Sequence, residues 1–292
     1  MKNIPEIDWK RADALIALAL EEDLDGRGDV TTNSVIPENL VTDAVFLAKE
    51  DLVCAGLPVA ERLFHTLSPD LKWESLVQEG EFCPKGTVMA KVHGSARLLL
   101  TGERTALNFL QRLCGVATAS KKYQDAAGDR CQILDTRKTT PGWRNLEKYA
   151  VATGGAHNHR IGLYDRVMIK DNHRELAGLE GAGGITRSVA HAREKYPDLE
   201  VEVEVDSLDE LAEAVATGAE YILLDNMSDE MMAEAVRFVN GRSKLEASGG
   251  ITLARIPSAA ASGVDFISAG ALTHSVKSCD ISVDIALPGD KK

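Results

Sequence analysis

The feature that most constrains the fold is a regular alternation of short apolar runs with helical segments in the second half of the chain. Six runs are rich in aliphatic and β-branched residues, namely CQILDT, RVMIKD, VEVEVD, YILLDN, KLEAS and FISAG. Between them, 208–217, 229–240 and 252–262 have helical patterns. Strands that alternate with helices form right-handed βαβ units and assemble into a parallel sheet. The alternation therefore predicts an α/β fold, either an open doubly wound sheet or an α/β barrel.

The residues that directly follow these runs indicate where a functional site would lie. In open parallel sheets and in barrels alike, active sites are built at the carboxyl ends of the strands. If the six ends share one rim, that rim carries two glycine-rich turns and the side chains of Arg137, Lys138, Lys170, Glu204, Asp225 and Ser248. Scattered surface loops do not need so many chemically capable side chains at strand ends. The pattern favours a barrel with an active site at this rim.

Residues 1–100 have a different pattern. Short or alternating apolar runs broken by Gly and Pro, at 42–56 and 72–96, are typical of antiparallel strands, and 57–67 between them predicts a helix. A longer helical pattern at 97–115 is expected to mark a domain junction. Its buried face is predicted to contain Leu99, Leu107, Leu110 and Leu113.

Composition excludes several classes of protein. The 292 residues have a formal net charge of -12, with 44% hydrophobic and 27% charged residues, which is typical of a soluble globular protein and argues against binding to nucleic acid or anionic membranes. The five cysteines are widely spaced without a CxxC pair, so we expect reduced thiols in a cytoplasmic protein. The apolar run at 14–20 is too short to span a bilayer and is interpreted as a buried helix face.

A basic stretch stands out within this acidic chain. From Asp135 to Arg174 there are eight Lys or Arg residues against four acids. Arg pairs through a planar fork with carboxylate or phosphate, and Lys acts as a compact charge. Five residues at strand ends or in a glycine-flanked loop are predicted to converge on an anion with several oxygens: Arg137, Lys138, His159, Arg160 and Lys170. The others are interpreted as solvated surface cations: Arg144, Lys148, Arg166 and Arg174.

The run EVEVEVD at 200–206 places its valines on one face of a strand and its acids on the other. In a barrel these carboxylates would face the interior and would need cations or a metal ion, because like charges repel. Glu204 could then share Mg²⁺ with Asp225, the last residue of the next strand. An edge strand with a solvated acidic face explains the spacing equally well.

Two glycine-rich turns follow the last two strands, ASGGI at 247–251 and SAGALTHS at 268–275. Such turns expose backbone N–H groups that bind phosphate. The candidates are Ser248, Gly249, Gly250 and Gly270. The sequence has no nucleophile elbow, Walker motif or GxGxxG pattern. From the residues alone we expect a phosphate-bearing substrate, an acidic co-substrate and Mg²⁺.

Six motifs, in this order, resemble the quinolinate phosphoribosyltransferase family: DTRKTTPG, GGxxNHRxGLxD, IKDNH, EVEV, LLDN and SGGI. The resemblance covers nearly the whole chain and includes the helix ahead of the barrel. It implies an N-terminal α/β sandwich domain over 1–113, an incomplete α/β barrel over 114–275, and a segment, 276–292, that returns to the first domain. It also implies a homodimer, or a hexamer. One departure is Trp143, where an aliphatic residue is commoner in the family.

The resemblance further implies a pentosyltransferase of NAD biosynthesis. This enzyme transfers phosphoribose from phosphoribosyl pyrophosphate (PRPP) to quinolinate and releases pyrophosphate, CO₂ and nicotinate mononucleotide. The resemblance assigns substrate binding to Thr136 and to five residues around quinolinate, Arg137, Lys138, His159, Arg160 and Lys170. It also implies that Arg104 of the partner subunit reaches into this site. The catalytic residues are Lys138 and the two Mg²⁺ ligands, Glu204 and Asp225. The resemblance implies that the 5-phosphate of PRPP binds to Ser248, Gly249, Gly250 and Gly270.

Three other functions are weighed against this one. A transferase in the same fold could use PRPP with another acceptor, as in the molybdenum-transport-associated relatives, but the intact IKDNH and NHR motifs favour quinolinate. A catalytically silent anion-binding protein would not need the acidic pair Glu204 and Asp225. A purely structural subunit would not need the cluster of cations.

Overall fold

The computed structural model describes residues 4–287, which divide into two compact units. The first comprises the residues up to 121, 139–155 and those from 272 onward, and the second comprises 122–138 and 156–271. The predicted limits differ mainly in 139–155, which they assign to the barrel. This segment groups with the first unit because its buried Glu147 pairs with Arg112 at 2.7 Å. The ends of the predicted domains, 1–3 and 288–292, lie outside the described residues.

The first unit is built on an antiparallel sheet. Its strands are β1 (Val41–Ala48), β2 (Leu52–Val53), β3 (Lys72–Ser75), β4 (Phe82–Cys83), β5 (Val88–Ser95) and β12 (Ile281–Ile285). Four of them pair in the order β12-β1-β5-β3, and β2 pairs with β4. The last strand therefore returns to the first, with Ala44 opposite Ile285. The predicted antiparallel strands are confirmed.

The helices of the first unit cover this sheet and supply most of its apolar core. They are α1 (Trp9–Leu24), α2 (Val30–Val35), α3 (Leu57–Leu67), most of α4 (Ala96–Ala127), and α5 (Arg144–Thr153). The predicted helix at 57–67 is confirmed, and so is the burial of all four leucines expected in α4. On α1 the buried residues are Ala12, Ile16 and Leu20, whereas Leu18 is exposed. No helix among the described residues is both long and apolar enough for a membrane crossing.

Trp143, the departure from the family pattern, has a packing role. Its ring stacks on Phe109 at a centroid distance of 4.8 Å and an interplanar angle of 21°. Stacked aromatic pairs add stability beyond the area they bury. Trp143 in place of an aliphatic residue therefore changes the apolar packing of the first unit and leaves the charge of that unit unchanged.

The second unit contains the six predicted strands in one parallel sheet. They are β6 (Gln132–Leu134), β7 (Val167–Ile169), β8 (Val201–Val205), β9 (Tyr221–Asp225), β10 (Lys244–Ser248) and β11 (Phe266–Ser268). Their order is β6-β11-β10-β9-β8-β7, so among the described residues β6 and β7 form the two edges. The predicted incomplete parallel α/β barrel is confirmed.

Helices alternate with these strands, as the sequence predicts. They are α6 (Asp171–Leu176), α7 (Gly184–Lys195), α8 (Leu208–Ala216), α9 (Asp229–Val239) and α10 (Ile256–Ala261), preceded by a 3₁₀ turn at Leu253–Arg255. Ser207 and Ser228 cap α8 and α9 by accepting backbone N–H groups. Since every strand runs in the same direction, the polar residues that follow the strands meet at one end of the sheet.

Candidate functional site

A cavity of about 540 Å³ opens at the carboxyl ends of these strands, within the second unit. This volume lies in the usual range for small-molecule sites. Its lining side chains come from six consecutive strand ends and the loops after them: Thr136, Arg137, Lys138, His159, Arg160, Met168, Lys170, Glu204, Leu223, Asp225, Asn226, Glu246, Ser248, Gly249 and Ser268. The structure thus brings together most of the residues predicted from strand-end position.

A buried aspartate orients the NHR motif. Asp135, at the end of β6, accepts the side-chain amide of Asn158 at 2.7 Å and the backbone N–H of His159 at 2.9 Å. Further along the loop, Asp165 accepts the backbone N–H groups of Ile161 and Gly162. These carboxylates replace the strand hydrogen bonds that the irregular loop lacks. His159 and Arg160 are therefore held in place by local geometry.

Arg160 is half-buried and fixed by its own loop. Its Nη1 donates to the backbone carbonyl of Arg166 at 2.9 Å. Burial, and then the positive charge of Arg137, lower the pKa of Arg160. An arginine remains charged under such a shift. A buried cation whose pKa is lowered by a neighbouring cation is typical of a site that binds an anion.

Glu204 and Asp225 are the acids at the mouth of this cavity. They lie near the carboxyl ends of the neighbouring strands β8 and β9, and both are partly exposed. Lys170 makes a direct ion pair with Glu204. The amide of Asn226 donates to Asp225 at 2.8 Å. Carboxylate oxygens at two adjacent strand ends can bind a divalent cation. In this structure, the Glu204 carboxylate is paired with Lys170.

The turn after β10 has a backbone conformation that requires glycine. Gly249 has φ of +88°, and a Cβ there would lie 2.2 Å from Oδ1 of Asn226. Asn226 itself has φ of +54° and donates its backbone N–H to the carbonyl of Ser248 at 3.0 Å. Arg255 braces the turn through the carbonyls of Gly249 and Met227. The ends of β9 and β10 therefore approach closely. Because Gly249 has no side chain, Ser248 and Gly249 stay open to a ligand in the cavity.

A histidine and two glutamates form a buried cluster at the floor of the cavity. Nε2 of His159 lies 3.1 Å from Glu202 and 3.3 Å from Glu246. Burial would lower the pKa of His159, but the close contacts of its ring with the two carboxylates and their charges outweigh burial and raise the pKa to about 9. Burial, and then the charge of Glu202, raise the pKa of Glu246. The cluster retains protons at neutral pH.

Glu202 and Glu246 were missed as site residues by sequence reasoning. Glu202 lies on the acidic face of EVEVEVD, and its complete burial in the interior strand β8 excludes the solvated edge-strand interpretation. Glu246 lies between Leu245 and Ala247, and all three are buried. An acid between apolar residues of a strand is the signal that could have indicated it, because parallel strands are buried on both faces.

Some predicted residues lie outside the lining. Arg104 belongs to the first unit and is exposed on α4, and Gly250 and Gly270 are near the turns but do not line the cavity.

The interpretation of the remaining basic residues as solvated surface cations is wrong in part. Lys148 is buried in α5, and Arg174 is largely buried against Glu210 at 2.5 Å. Arg166 lies over the ring of Tyr221 at 3.9 Å and pairs with Glu202 at 3.5 Å. These contacts join residues far apart in the sequence, so periodicity alone does not reveal them.

Comparison with known proteins agrees with this geometry. The family models for the N-terminal and C-terminal domains of quinolinate phosphoribosyl transferase match residues 29–114 and 116–284. The chloroplastic nicotinate-nucleotide pyrophosphorylase (carboxylating) of Arabidopsis thaliana is 44% identical over 300 residues, covering 96% of this chain and 84% of its own length. A probable enzyme of the same name from Synechocystis is 43% identical over 282 residues, covering 95% and 93%.

Solved structures show the same similarity. The nicotinate-nucleotide pyrophosphorylase of Francisella tularensis superposes with a TM-score of 0.90 at 36% identity, covering 97% of this chain and 99% of its own. NadC from Streptococcus pyogenes gives 0.91 at 38% identity with the same coverage. The chain belongs to the quinolinate phosphoribosyltransferase family.

Proposed function

We propose that this protein transfers phosphoribose from PRPP to the nitrogen of quinolinate and forms nicotinate mononucleotide, pyrophosphate and CO₂, a step of NAD biosynthesis. The observation that carries the proposal is the gathering of Arg137, Lys138, Arg160 and Lys170 in one cavity with a glycine turn and three acids. A dicarboxylate and a pyrophosphate together supply the negative charge that this cavity lacks. The relatives at 43–44% identity, which are named as carboxylating nicotinate-nucleotide pyrophosphorylases, support the assignment.

The protein's contribution is positioning and electrostatic stabilisation. Arg137 and Arg160 hold the carboxylates of quinolinate so that its ring nitrogen faces the ribose carbon. Lys138 and Lys170 stabilise the charge that develops on departing pyrophosphate. The 5-phosphate binds at Ser248 and at the two glycine turns, which contain Gly249 and Gly250 after β10 and Gly270 after β11. After transfer, the cationic ring nitrogen accepts the electron pair left by the departing carboxylate.

We infer that Mg²⁺ binds at Glu204 and Asp225. The donor set fits this ion, because both are carboxylates at neighbouring strand ends in a solvent-accessible cavity, and Mg²⁺ prefers few carboxylates with water completing its shell. When bound, the ion would neutralise pyrophosphate charge. Lys170, which now pairs with Glu204, would then be released toward the substrate.

We also infer a homodimer in which Arg104 completes the partner's quinolinate site, with a hexamer as a further assembly. Its exposed position on α4 supports this assignment. Mixing Arg104→Ala with Glu204→Gln subunits is expected to restore activity that neither variant has alone. Mixtures that stay inactive after subunit exchange would contradict a shared site. We propose a cytoplasmic location because all five cysteines lie among the described residues and none forms a disulfide.

The proposed reaction is tested by incubating the protein with PRPP, Mg²⁺ and quinolinate and following nicotinate mononucleotide, with nicotinate as the control acceptor. Product from quinolinate alone is the expected result. If PRPP binds but neither acid reacts, the proposed reaction is wrong and another acceptor has to be sought.

A further inference from the structure

The buried acid of β10 has no role in the reaction as described so far. Glu246 lines the cavity together with His159, yet its residue is only 1% exposed. Among residues 4–287, neither of its carboxyl oxygens has a well-aligned hydrogen-bond donor. An ionised carboxylate in this position would pay a large desolvation cost. The geometry therefore favours the protonated acid.

The surrounding charges support a neutral Glu246. Arg166 lies 3.5 Å from Glu202 and offsets its charge. Nε2 of His159 lies 3.3 Å from Glu246, and the hydroxyl of Ser268 on β11 also faces this carboxyl group. Leu223 on β9 contributes no charge. Arg166 and Arg160 thus both act on Glu202, and a proton supplies the compensation that Glu246 requires.

The hydrogen bonds of His159 indicate where that proton lies. Nδ1 accepts the backbone N–H of Arg160 at 2.7 Å, so the single proton of the neutral ring is on Nε2 and points toward the two carboxylates. A second proton on the ring would displace the Arg160 hydrogen bond. The extra proton that the raised pKa values of this cluster indicate therefore lies on Glu246 and not on Nδ1 of His159. The same arrangement argues against a metal ion at these three residues, because Nε2 is the atom that would have to bind it.

The proposed function, on which this inference rests, needs one proton at a carbon atom. Decarboxylation breaks the bond between the ring carbon next to the nitrogen and its carboxylate, and CO₂ leaves. The electron pair stays on the ring carbon, where it is stabilised by the cationic nitrogen. A new C–H bond must then form, and without it the carbanion can recapture CO₂.

We propose that Glu246 is the general acid that donates this proton from the floor of the cavity. Its O–H bond breaks as the C–H bond forms, and the resulting carboxylate stays next to the Nε2–H of His159. Solvent returns one proton to Glu246 before the next turnover. His159 acts as a positioning residue, since it holds the carboxyl group without contacting the ring carbon in this step.

The test is a single turnover of Glu246→Gln with quinolinate, PRPP and Mg²⁺, in which pyrophosphate, CO₂ and both mononucleotides are measured separately. We expect pyrophosphate release within about threefold of the unmodified protein, because the phosphoribosyl transfer does not use this acid. Nicotinate mononucleotide formation should fall at least about 100-fold while quinolinate mononucleotide accumulates. Equal rates of pyrophosphate and nicotinate mononucleotide formation in the variant would overturn the proposal.

Two controls keep this result interpretable. Glu220→Gln, the same change at the amino end of the sheet, should release both products at the unmodified rate. Absence of pyrophosphate from the unmodified protein would instead contradict the proposed reaction itself.

A second measurement covers the case in which Glu246→Gln does not fold. In the unmodified protein, the yield of nicotinate mononucleotide per pyrophosphate in the first turnover should fall as Glu246, held beside His159, loses its proton with rising pH. A yield that stays constant from about pH 6 to about pH 10 would rule out a donor in this cluster.

Discussion

The two ends of the six-stranded sheet differ in how their charged side chains are balanced. At the amino ends, acids are satisfied by local partners. Glu220 accepts the backbone N–H of Val201 at 2.8 Å and pairs with Arg193 at 3.0 Å. Asp265 pairs with Lys244 at 2.6 Å. These groups complete the hydrogen bonding of the first strand residues.

At the carboxyl ends, cations outnumber the acids that could balance them. Four basic side chains line one cavity, and among its acids Glu246 is the one expected to be neutral. Charge that is balanced at short range contributes to stability, whereas an excess of one sign in a cavity is compensated by a ligand. The difference assigns binding to one end of the sheet and structural support to the other.

The largest effect is expected from removing a cation at the carboxyl ends. Arg137→Ala should lower kcat/KM by about 10²–10⁴-fold, since breaking a buried charge pair costs roughly 3–5 kcal/mol. Steady-state kinetics with quinolinate as the varied substrate will measure this change. Most of the loss should be in the affinity for quinolinate, with a smaller change in the affinity for PRPP.

The matched control is Arg193→Ala at the amino end of the same sheet. It removes the same charge from a surface pair, so kcat/KM should change less than about twofold and stability by about 0.5 kcal/mol. A similar loss of activity in both variants would mean that net charge, rather than position at the strand ends, determines binding.

The acids at the cavity mouth should differ from all other acids of the sheet in their response to Mg²⁺. Glu204→Gln is expected to raise the Mg²⁺ concentration for half-maximal activity by at least about tenfold, because one of the two proposed carboxylate ligands is lost. Binding of Mn²⁺ to the protein, followed by paramagnetic resonance without substrates, gives a readout independent of turnover. Unchanged Mn²⁺ binding in both Glu204→Gln and Asp225→Asn would place the ion elsewhere.

Glu246 and His159 should make the folded protein less stable as pH rises. Both have raised pKa values, so the folded state binds more protons than the unfolded state between about pH 4.5, the ordinary carboxyl value, and about pH 9. The contribution of this proton binding to the stability of the folded state is complete below that pH range and is lost as pH rises through it. Glu246→Gln removes the unfavourable acid and should stabilise the protein at pH 8 by about 1–3 kcal/mol.

Urea unfolding at pH 5 and pH 8 will measure this effect. The gain in the free energy of unfolding should be larger at pH 8. A variant that is less stable than the unmodified protein at pH 8 would show that Glu246 is ionised and paired in the fold.

The parts of this molecule that sequence predicts best are those set by short-range periodicity. The apolar runs give the six strands, and the polar residues after them give the rim, because all parallel strands end on the same side. The valines of β8 are completely buried as the alternation requires. The candidate cations and acids of the cavity follow from this one geometric rule.

The parts that sequence does not predict depend on contacts between distant residues. The burial of Lys148, the stacking of Arg166 on Tyr221 and the meeting of His159 with Glu246 each join separate segments. An acid in a short run such as KLEAS can face solvent, a helix or the interior of the barrel. Only the order of strands in the sheet decides among these positions.

The smallest predicted effect completes the comparison of the two ends. Burial tends to raise the pKa of Glu220, but the backbone N–H of Val201 and then Arg193 outweigh burial and lower it. Its stabilising contribution is therefore present above the ordinary carboxyl pKa and is lost as pH falls through the lowered value, which is the opposite sign to Glu246. Because the side chain of Glu220 is 37% exposed, Glu220→Gln should cost only about 0.5–1 kcal/mol at pH 7 and almost nothing at about pH 3. Urea unfolding of this variant beside Glu246→Gln should thus give pH dependences of opposite sign from acids on the same sheet. Two dependences of the same sign would mean that the local partners of each acid do not control its charge, and the contrast between the two ends would be lost.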